Sequence, residues 1–278
     1  MFENVTPQAL SRVLQVQLKD SGIILPRVTR NFQSDLSMGK EVVLGGVGEI
    51  TVGTGTTSIN YQDAPTFSQL IKIDSDPYFA INLPDKSIKQ SMVKMLPFVQ
   101  KGANALAAEM DQKIAYLAYS AQKSIGASAE VGATEITPLI SEARAFIRSN
   151  SEDAEMAFLD LYVGPYTAEV IRQVMVNKAT DNQKALMNGY IGSINGFNVF
   201  ETSNIHTTGT FGTDLVEYNF AMISPAAVGA VIQADPTSEV VRRDAAFADG
   251  LRGMALWGKK LIGEKKFVAV VIKPDLSD

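Results

Sequence analysis

The chain has 278 residues, a formal net charge of −5, no cysteine and a single histidine. This length suits one large domain or two closely packed ones with a substantial core. The lack of cysteine excludes disulfides, thiolate metal sites and cysteine nucleophiles, and the negative charge argues against a surface that attracts nucleic acid as a whole.

The sequence predicts neither a membrane span nor a secretory signal. No apolar run reaches the ~18 residues that a spanning helix needs, and Met1–Asp20 has mixed charge and no apolar signal core. We therefore expect a protein made and used in a cytoplasm, or in a particle assembled there.

The first segment predicts a short helix with an extended tail. Thr6-Pro7 is an N-cap followed by proline at the first helical position, and Ser21-Gly22 should end the helix. Its apolar residues recur at helical spacing: Leu10, Val13, Leu14 and Leu18. With the loose stretch that follows to about Gln33, this segment is a predicted arm that cannot bury its apolar side chains within the chain.

The stretch from Lys40 to Pro65 predicts a β-ribbon with a mobile, glycine-rich tip. Glu41–Leu44 and Glu49–Val52 have strand character, and strands at Leu70–Ile73 and Tyr78–Asn82 follow. Because a thin ribbon cannot cover its own apolar side chains, we expect some of them to contact another copy of the chain. The side chains concerned are Val42, Leu44, Ile50, Val52 and Tyr61.

A long amphipathic helix is predicted next, capped by Asp85 or Ser87 and ended by Gly126. Its length corresponds to a rod of roughly 50 Å. Pro97 should kink or divide it, leaving a longer piece from about Phe98 to Gln122. The apolar stripe is Met92, Leu96, Val99, Ala103, Leu106, Met110, Ile114, Leu117 and Ala121. So narrow and alanine-rich a stripe is typical of a helix that lies along a sheet or another subunit.

Beyond a predicted linker at Gly126–Gly132, strands alternate with helices. Thr137-Pro138 starts a predicted helix, a strand covers Ala157–Val163, and Gly164-Pro165 starts a helix through Met175. The inward positions of the first of these helices are Leu139, Ala143, Phe146 and Ile147. Asn195-Gly196, between apolar runs, is a strong hairpin signal.

The strand–proline–helix pattern is then predicted a second time. Tyr218–Ile223 is a strand, and Ser224-Pro225 starts a helix to about Ile232. This repetition predicts two helices packed on one sheet. The tail from Glu239 mixes short strands with turns, and the last strand is Phe267–Ile272.

No catalytic, cofactor or metal site is predicted. His206 lies in a polar loop without identifiable triad partners, and Gly45–Gly55 lacks the helix N-terminus that a phosphate loop needs. Proline removes one amide donor from each of the two predicted proline-started helices. The remaining charged groups are typical of solvated loops or subunit contacts: Glu152, Asp153 and Glu155, and the lysines Lys259, Lys260, Lys265 and Lys266.

The order of these elements resembles the major capsid proteins of tailed bacteriophages, which have the α+β Hong Kong 97-type fold. Gly39–Val43 resembles the entry into the family's extended loop, and Phe79–Asp85 the return into its spine helix. The most specific stretch, Asn188–Val199, resembles a hairpin that family members carry. Leu256–Lys260 resembles the turn before their final strand.

The resemblance implies four parts. These are an N-terminal arm (1–32), an extended loop or E-loop (33–84), a peripheral domain with the spine helix (85–135 and 236–265), and an axial domain (136–235 and 266–278). It also implies a virion protein, assembled in the host cytoplasm, whose copies form pentamers and hexamers around double-stranded DNA without sequence-specific binding. No N-terminal scaffolding domain has room here, so a separate scaffolding protein and a portal are the expected partners. No cofactor and no membrane is implied.

Three other readings remain open. An encapsulin-type compartment uses the same subunit shape to hold an enzyme. A small α/β enzyme would use the proline-started helices as ligand sites, and another virion part, such as a tail or head-completion protein, would also be structural.

Overall fold

The computed structural model describes residues 7–29, 40–47, 63, 66–85, 95–151, 158–177, 190–210, 214–243 and 247–275. In chain order the first elements are α1 (Pro7–Ser21), β1 (Glu41–Val47), β2 (Thr66–Lys72), β3 (Tyr78–Pro84), α2 (Met95–Ala115), β4 (Lys123–Val131), α3 (Ala133–Ser149) and β5 (Leu159–Val163). They are followed by α4 (Pro165–Asn177), β6 (Tyr190–Ile194), β7 (Phe197–Glu201), β8 (Thr207–Thr208), β9 (Val216–Ile223), β10 (Val228–Arg243), β11 (Ala248–Leu261) and β12 (Phe267–Pro274). Short 3₁₀ turns lie at Leu25–Arg27, Tyr116–Ser120 and Glu264–Lys266.

The largest sheet has the strand order β4-β12-β9-β5-β7-β6, with β8 paired to β9. Side chains alternate between its two faces, as the pleat of a strand requires. In β9, Ala221 and Ile223 pack on one side under α3 and α4, whereas Phe220 and Met222 face α2 on the other. This sheet is therefore covered on both faces by helices of the same chain.

A three-stranded sheet, β10-β11-β3, carries α1 and α2 on one face. Leu10 and Leu14 of α1 pack with Val99 and Ala103 of α2 and with Leu251 of the sheet. The expectation that the arm cannot bury its apolar side chains within the chain is therefore wrong for α1. The helix has found its cover at home because α2 offers it a parallel apolar stripe.

The helix α1 also covers the free edge of β10. The Ser11 hydroxyl donates to the Ser238 carbonyl at 3.1 Å and accepts from the Ser238 N–H at 3.1 Å. Both ladder groups of Ser238 are thus satisfied by a side chain, which blocks that edge against pairing with another strand.

The long helix is shorter than predicted in the described residues. From Met95 to Ala115 it has 21 residues, roughly 32 Å at the α-helical rise. Pro97 is its third residue and lies in the first turn, where a missing N–H removes no intrahelical hydrogen bond, so the predicted kink at this position is wrong. Leu96 is 43% exposed and does not belong to the buried stripe. The members of the stripe that are buried as predicted are Val99, Ala103, Leu106, Met110 and Ile114.

Two predicted boundaries are wrong. Gly126 does not end a helix but lies within β4, parallel to β12, and the predicted linker is strand. A Cβ on Gly126 would lie 3.0 Å from the Val271 carbonyl oxygen, so the glycine allows the two strands to approach. Ser224-Pro225 leads not into a helix but into a turn and β10. The run after it is buried on both faces, and a short buried apolar run does not distinguish helix from strand.

The tail forms one long hairpin, not the predicted short strands and turns. β10 and β11 pair from Val228↔Leu261 to Arg243↔Ala248, and the glycines predicted to make turns lie within β11. The predicted helices at 137 and 165, the strands at 159 and 267 and the hairpin at Asn195-Gly196 are confirmed, with Asn195 (φ 48°) and Gly196 (φ 82°) in the left-handed conformation. The helix α3 begins earlier than predicted, at Ala133.

Candidate assembly surfaces

The ring of His206 is packed among aromatic rings in place of catalytic partners. Its centroid lies 5.0 Å from that of Tyr116, 5.2 Å from Tyr119 and 5.5 Å from Tyr218. These contacts join the loop before β8 to the 3₁₀ turn after α2. The interpretation of His206 as a loop residue without a triad is consistent with this surrounding.

The N-terminus of α4 is not open to a ligand. The backbone N–H groups of Tyr166 and Thr167 donate to the Glu217 carboxylate, at 3.2 and 2.8 Å, and the N–H of Gly164 donates to the Asn219 side-chain oxygen at 2.8 Å. Burial raises the pKa of Glu217, and these hydrogen bonds oppose the rise. A carboxylate of the chain itself occupies the place that an anion would need.

The remaining candidate ligand groups offer no site in the described residues. Among those residues no three histidine, aspartate or glutamate side chains come together as metal ligands, and no helix is both long and apolar enough to cross a membrane. Lys260 donates to the Leu70 carbonyl at 3.1 Å, and the Lys259 ammonium lies 5.4 Å from the Trp257 ring centroid. The acidic residues Glu152, Asp153 and Glu155 and the ribbon tip at 48–62 lie outside the described part of the chain.

The base of the predicted ribbon is confirmed as an antiparallel pair, from Glu41↔Lys72 to Val47↔Thr66. Val42 and Leu44 pack in a cluster with Ile71 and Val231. The expectation that the ribbon cannot cover its own apolar side chains is therefore wrong for these two. Contact of Ile50, Val52 and Tyr61 with another copy stays a prediction, because these residues lie outside the described part.

The outward face of the ribbon base carries Val43, which is 61% exposed. Sequence reasoning missed this residue, although the period of two along a strand places it opposite Val42 and Leu44. Its neighbour across the ribbon is Leu70. An exposed valine beside a buried pair marks this face as the one available to a partner.

The three-stranded sheet leaves its second face open. Tyr78 and Met254 are paired in register on β3 and β11 and are 74% and 50% exposed. On the same face, Arg252 pairs with Glu239 across β11 and β10. Large apolar side chains next to a charged pair on an open sheet face are typical of a surface that another molecule covers.

A third exposed group lies where β11 begins. Phe247 is 88% exposed, and its carbonyl accepts from the N–H of Asp85 at 2.9 Å. Arg242 forms two hydrogen bonds of 2.6 Å to the Asp85 carboxylate and another of 2.9 Å to Asp249. These bonds tie the backbone around an exposed phenyl ring to the rest of the sheet.

Solved structures with this architecture include several phage particles. A structure from Mycobacterium phage Che8 matches with a TM-score of 0.70 at 22% identity, over 87% of this chain and 88% of that one. The capsid of cyanophage P-SCSP1u matches with a TM-score of 0.66 at 14% identity, over 90% and 86%. The chain has the Hong Kong 97-type fold. The α+β class, the spine helix and the ribbon predicted from the resemblance belong to this fold.

A virus-like particle from Pyrococcus furiosus has the same fold. It matches over 96% of this chain and 98% of that one, with a TM-score of 0.62 at 13% identity. No protein-family model and no curated protein sequence matches the chain. The Hong Kong 97-type fold is therefore recognised through three-dimensional structure, at identities where the sequences have diverged widely.

Proposed function

We propose that the chain is the major capsid protein of a tailed phage, which assembles with copies of itself into the icosahedral shell around double-stranded DNA. The observation that carries the proposal is the structural match to phage particles along most of both chains. A match of this extent includes the arm, ribbon base and both sheets, and so leaves little of the chain for another activity.

The uncovered surfaces support a subunit that is completed by its neighbours. Val43 on the ribbon base, Tyr78 with Met254 on the open sheet face, and Phe247 are large apolar side chains that the isolated chain leaves in solvent. We propose that copies of the chain cover these surfaces, together with Ile50, Val52 and Tyr61 of the ribbon. Val42 and Leu44 would then act indirectly, by holding the ribbon base on β10.

The described residues give little support to an enzyme. Of the two predicted proline-started helices, the second is a strand and the first has its N-terminal amides bound to Glu217. The chain's net charge of −5 suits a shell that encloses DNA without gripping it, because strong attraction would hinder packaging and release. The function we propose is structural, within a virion assembled in the host cytoplasm.

The predicted partners and domain division are part of the same proposal. A separate scaffolding protein and a portal would take part in assembly. The three-stranded sheet with α1 and α2 supports a peripheral domain, and the seven-stranded sheet with α3 and α4 supports an axial domain. In that division β4 goes with the axial part, because it pairs with β12.

An encapsulin-type compartment is the second candidate. The match to the Pyrococcus furiosus particle covers more of both chains than the phage matches given above, although its TM-score is lower. The two candidates share the subunit fold and differ in their contents. Shells that carry a cargo protein would favour the compartment, and shells that carry DNA would favour the phage capsid.

The test is to purify the full chain and examine it by size-exclusion chromatography and negative-stain electron microscopy. We expect assemblies of megadalton size, with closed polyhedral shells when a scaffolding protein is co-expressed. A stable monomer whose melting temperature rises with a small-molecule ligand would favour an enzyme. Rings or tubes without polyhedral shells under both conditions would contradict the capsid proposal.

A further inference from the structure

Residues 23–29, which follow α1, contact three separate parts of the fold; we call them the strap. The first contact is with α2. The backbone N–H groups of Ile23, Ile24 and Leu25 all donate to the Asp111 carboxylate, at 2.8, 3.3 and 2.9 Å. Asp111 is completely buried. Three N–H donors on one carboxylate fix the position of the chain as it leaves α1.

The second contact is with the seven-stranded sheet, through Arg27. Its guanidinium carbon lies 3.9 Å from the ring centroid of Phe200 on β7, and its Nη1 lies 3.4 Å from the Asp160 carboxylate on β5. The Asp160 side chain is 1% exposed, whereas that of Arg27 is 42% exposed. The Arg27 carbonyl also accepts a hydrogen bond from the Ser224 hydroxyl, after β9.

The third contact is with β10 of the three-stranded sheet. The Thr29 N–H donates to the Val228 carbonyl at 3.0 Å, and the Thr29 carbonyl accepts from the Ala230 N–H at 3.0 Å. These bonds add one parallel bridge to the edge of β10. Seven consecutive residues therefore join the spine helix and both sheets.

Apolar contact alone would not hold the two sheets at one angle. Ile24, Leu25 and Val28 of the strap are buried in the cluster that lies between the sheets, together with Trp257 and Phe220. Hydrophobic burial is non-directional, so these side chains favour closeness more than orientation. The carboxylate, the stacked guanidinium and the backbone bridge are directional, and they act at three points that do not lie on one element.

We propose that the strap is a clasp that fixes the orientation of the seven-stranded sheet relative to the three-stranded sheet, with Arg27 as its positioning residue. Arg27 is suited to this because its planar group both stacks on Phe200 and pairs with Asp160, which a lysine ammonium cannot do at once. Under the proposed function, on which this consequence rests, the angle between the sheets sets the curvature that the subunit gives to a shell.

The test measures that angle on the full chain. The chain has no cysteine, so Ala145→Cys on α3 and Met254→Cys on β11 give two unique sites for spin labels, both exposed. Labelled chain diluted in unlabelled chain yields the intrachain distance distribution by pulsed electron resonance, whether or not shells form. The variants are Arg27→Leu and Arg27→Lys, and the matched control is Arg12→Leu, which removes the same charge from an exposed position on α1.

We expect a broader distance distribution in Arg27→Leu than in the parent, with Arg12→Leu unchanged. We also expect about tenfold faster hydrogen exchange at the Thr29 and Ala230 amides under conditions in which both proteins are fully folded. If Arg27→Leu does not fold, Arg27→Lys decides, because it keeps the charge beside Asp160 and loses the stacking. An unchanged distribution in every folded Arg27 variant would overturn the clasp. Failure of the chain to form shells would contradict the proposed function and leave this measurement intact.

Discussion

The phenyl ring of Phe79 on β3 packs against Gly102 on α2 so closely that a Cβ on the glycine would lie 2.7 Å from the ring. Gly253 on β11 lies against the same ring. The two glycines therefore make room for an aromatic residue between the spine helix and the sheet. Because the ring is confined by both, it cannot shift to accept an added methyl group.

Gly102→Ala should therefore destabilise the chain, although alanine is the better helix former. We expect a net loss of about 1–2 kcal/mol in the free energy of unfolding, from overpacking offset in part by helix propensity. Urea denaturation of unassembled subunits measures it. In the double variant with Phe79→Leu the effect of the alanine should shrink, and fully additive effects would show that the ring is not the obstacle.

Leu106→Asp should prevent folding. Leu106 is buried in the middle of α2, in the cluster between the two sheets, and an unpaired carboxylate there costs several kcal/mol. The matched control is Ala105→Asp, on the exposed side of the same helix turn. Circular dichroism and solubility give the comparison. A folded Leu106→Asp subunit would mean that this stripe is not the core of the protein.

Two neighbouring valines should separate folding from assembly. Val43→Asp places a charge on the exposed face of the ribbon base, so we expect a folded subunit that assembles poorly. Val42→Asp places it in the cluster with Ile71 and Val231, so we expect the ribbon base to detach from β10. Hydrogen exchange at the amides of β1 and β2 distinguishes the two outcomes, and light scattering measures assembly. Normal shells from Val43→Asp would remove that face from the proposed interface.

Glu217 should make stability fall as pH rises. Burial raises its pKa above the ordinary 4.5, so in the window above 4.5 the folded chain binds more protons than the unfolded one. The stabilisation that Glu217 contributes is complete below 4.5 and is lost as pH passes the folded pKa. Relative to the parent, Glu217→Gln should gain stability across this window, because a neutral amide has no ionisation cost. Denaturation curves at several pH values test the sign, and a parallel pH dependence in both proteins would contradict it.

Features set by neighbouring residues could be predicted from the sequence, because the causes are local. The hairpin at Asn195-Gly196 needs two residues that accept positive φ, and both are adjacent in the chain. The stripe from Val99 to Ile114 follows from the helical period. Gly164-Pro165 likewise begins α4 where local signals predict it.

Features set by distant partners could not. Nothing near Ser224-Pro225 distinguishes a buried strand from a helix, and the choice is made by pairing with Leu261 and its neighbours on β11. Asp111 meets the strap across 88 residues of chain, so its role has no local signal. Of the candidate surfaces, Val43 could have been found from strand alternation, whereas Tyr78 and Met254 are brought together only by the register of β3 and β11.

The capsid account is tested most directly by a cryo-electron microscopy reconstruction of particles formed by the full chain. It predicts closed shells of icosahedral symmetry, with the seven-stranded sheets meeting around the capsomer centres and a neighbouring copy over Tyr78, Met254 and Val43. A purified chain that stays monomeric with these side chains in solvent, or that builds only open tubes, would contradict it.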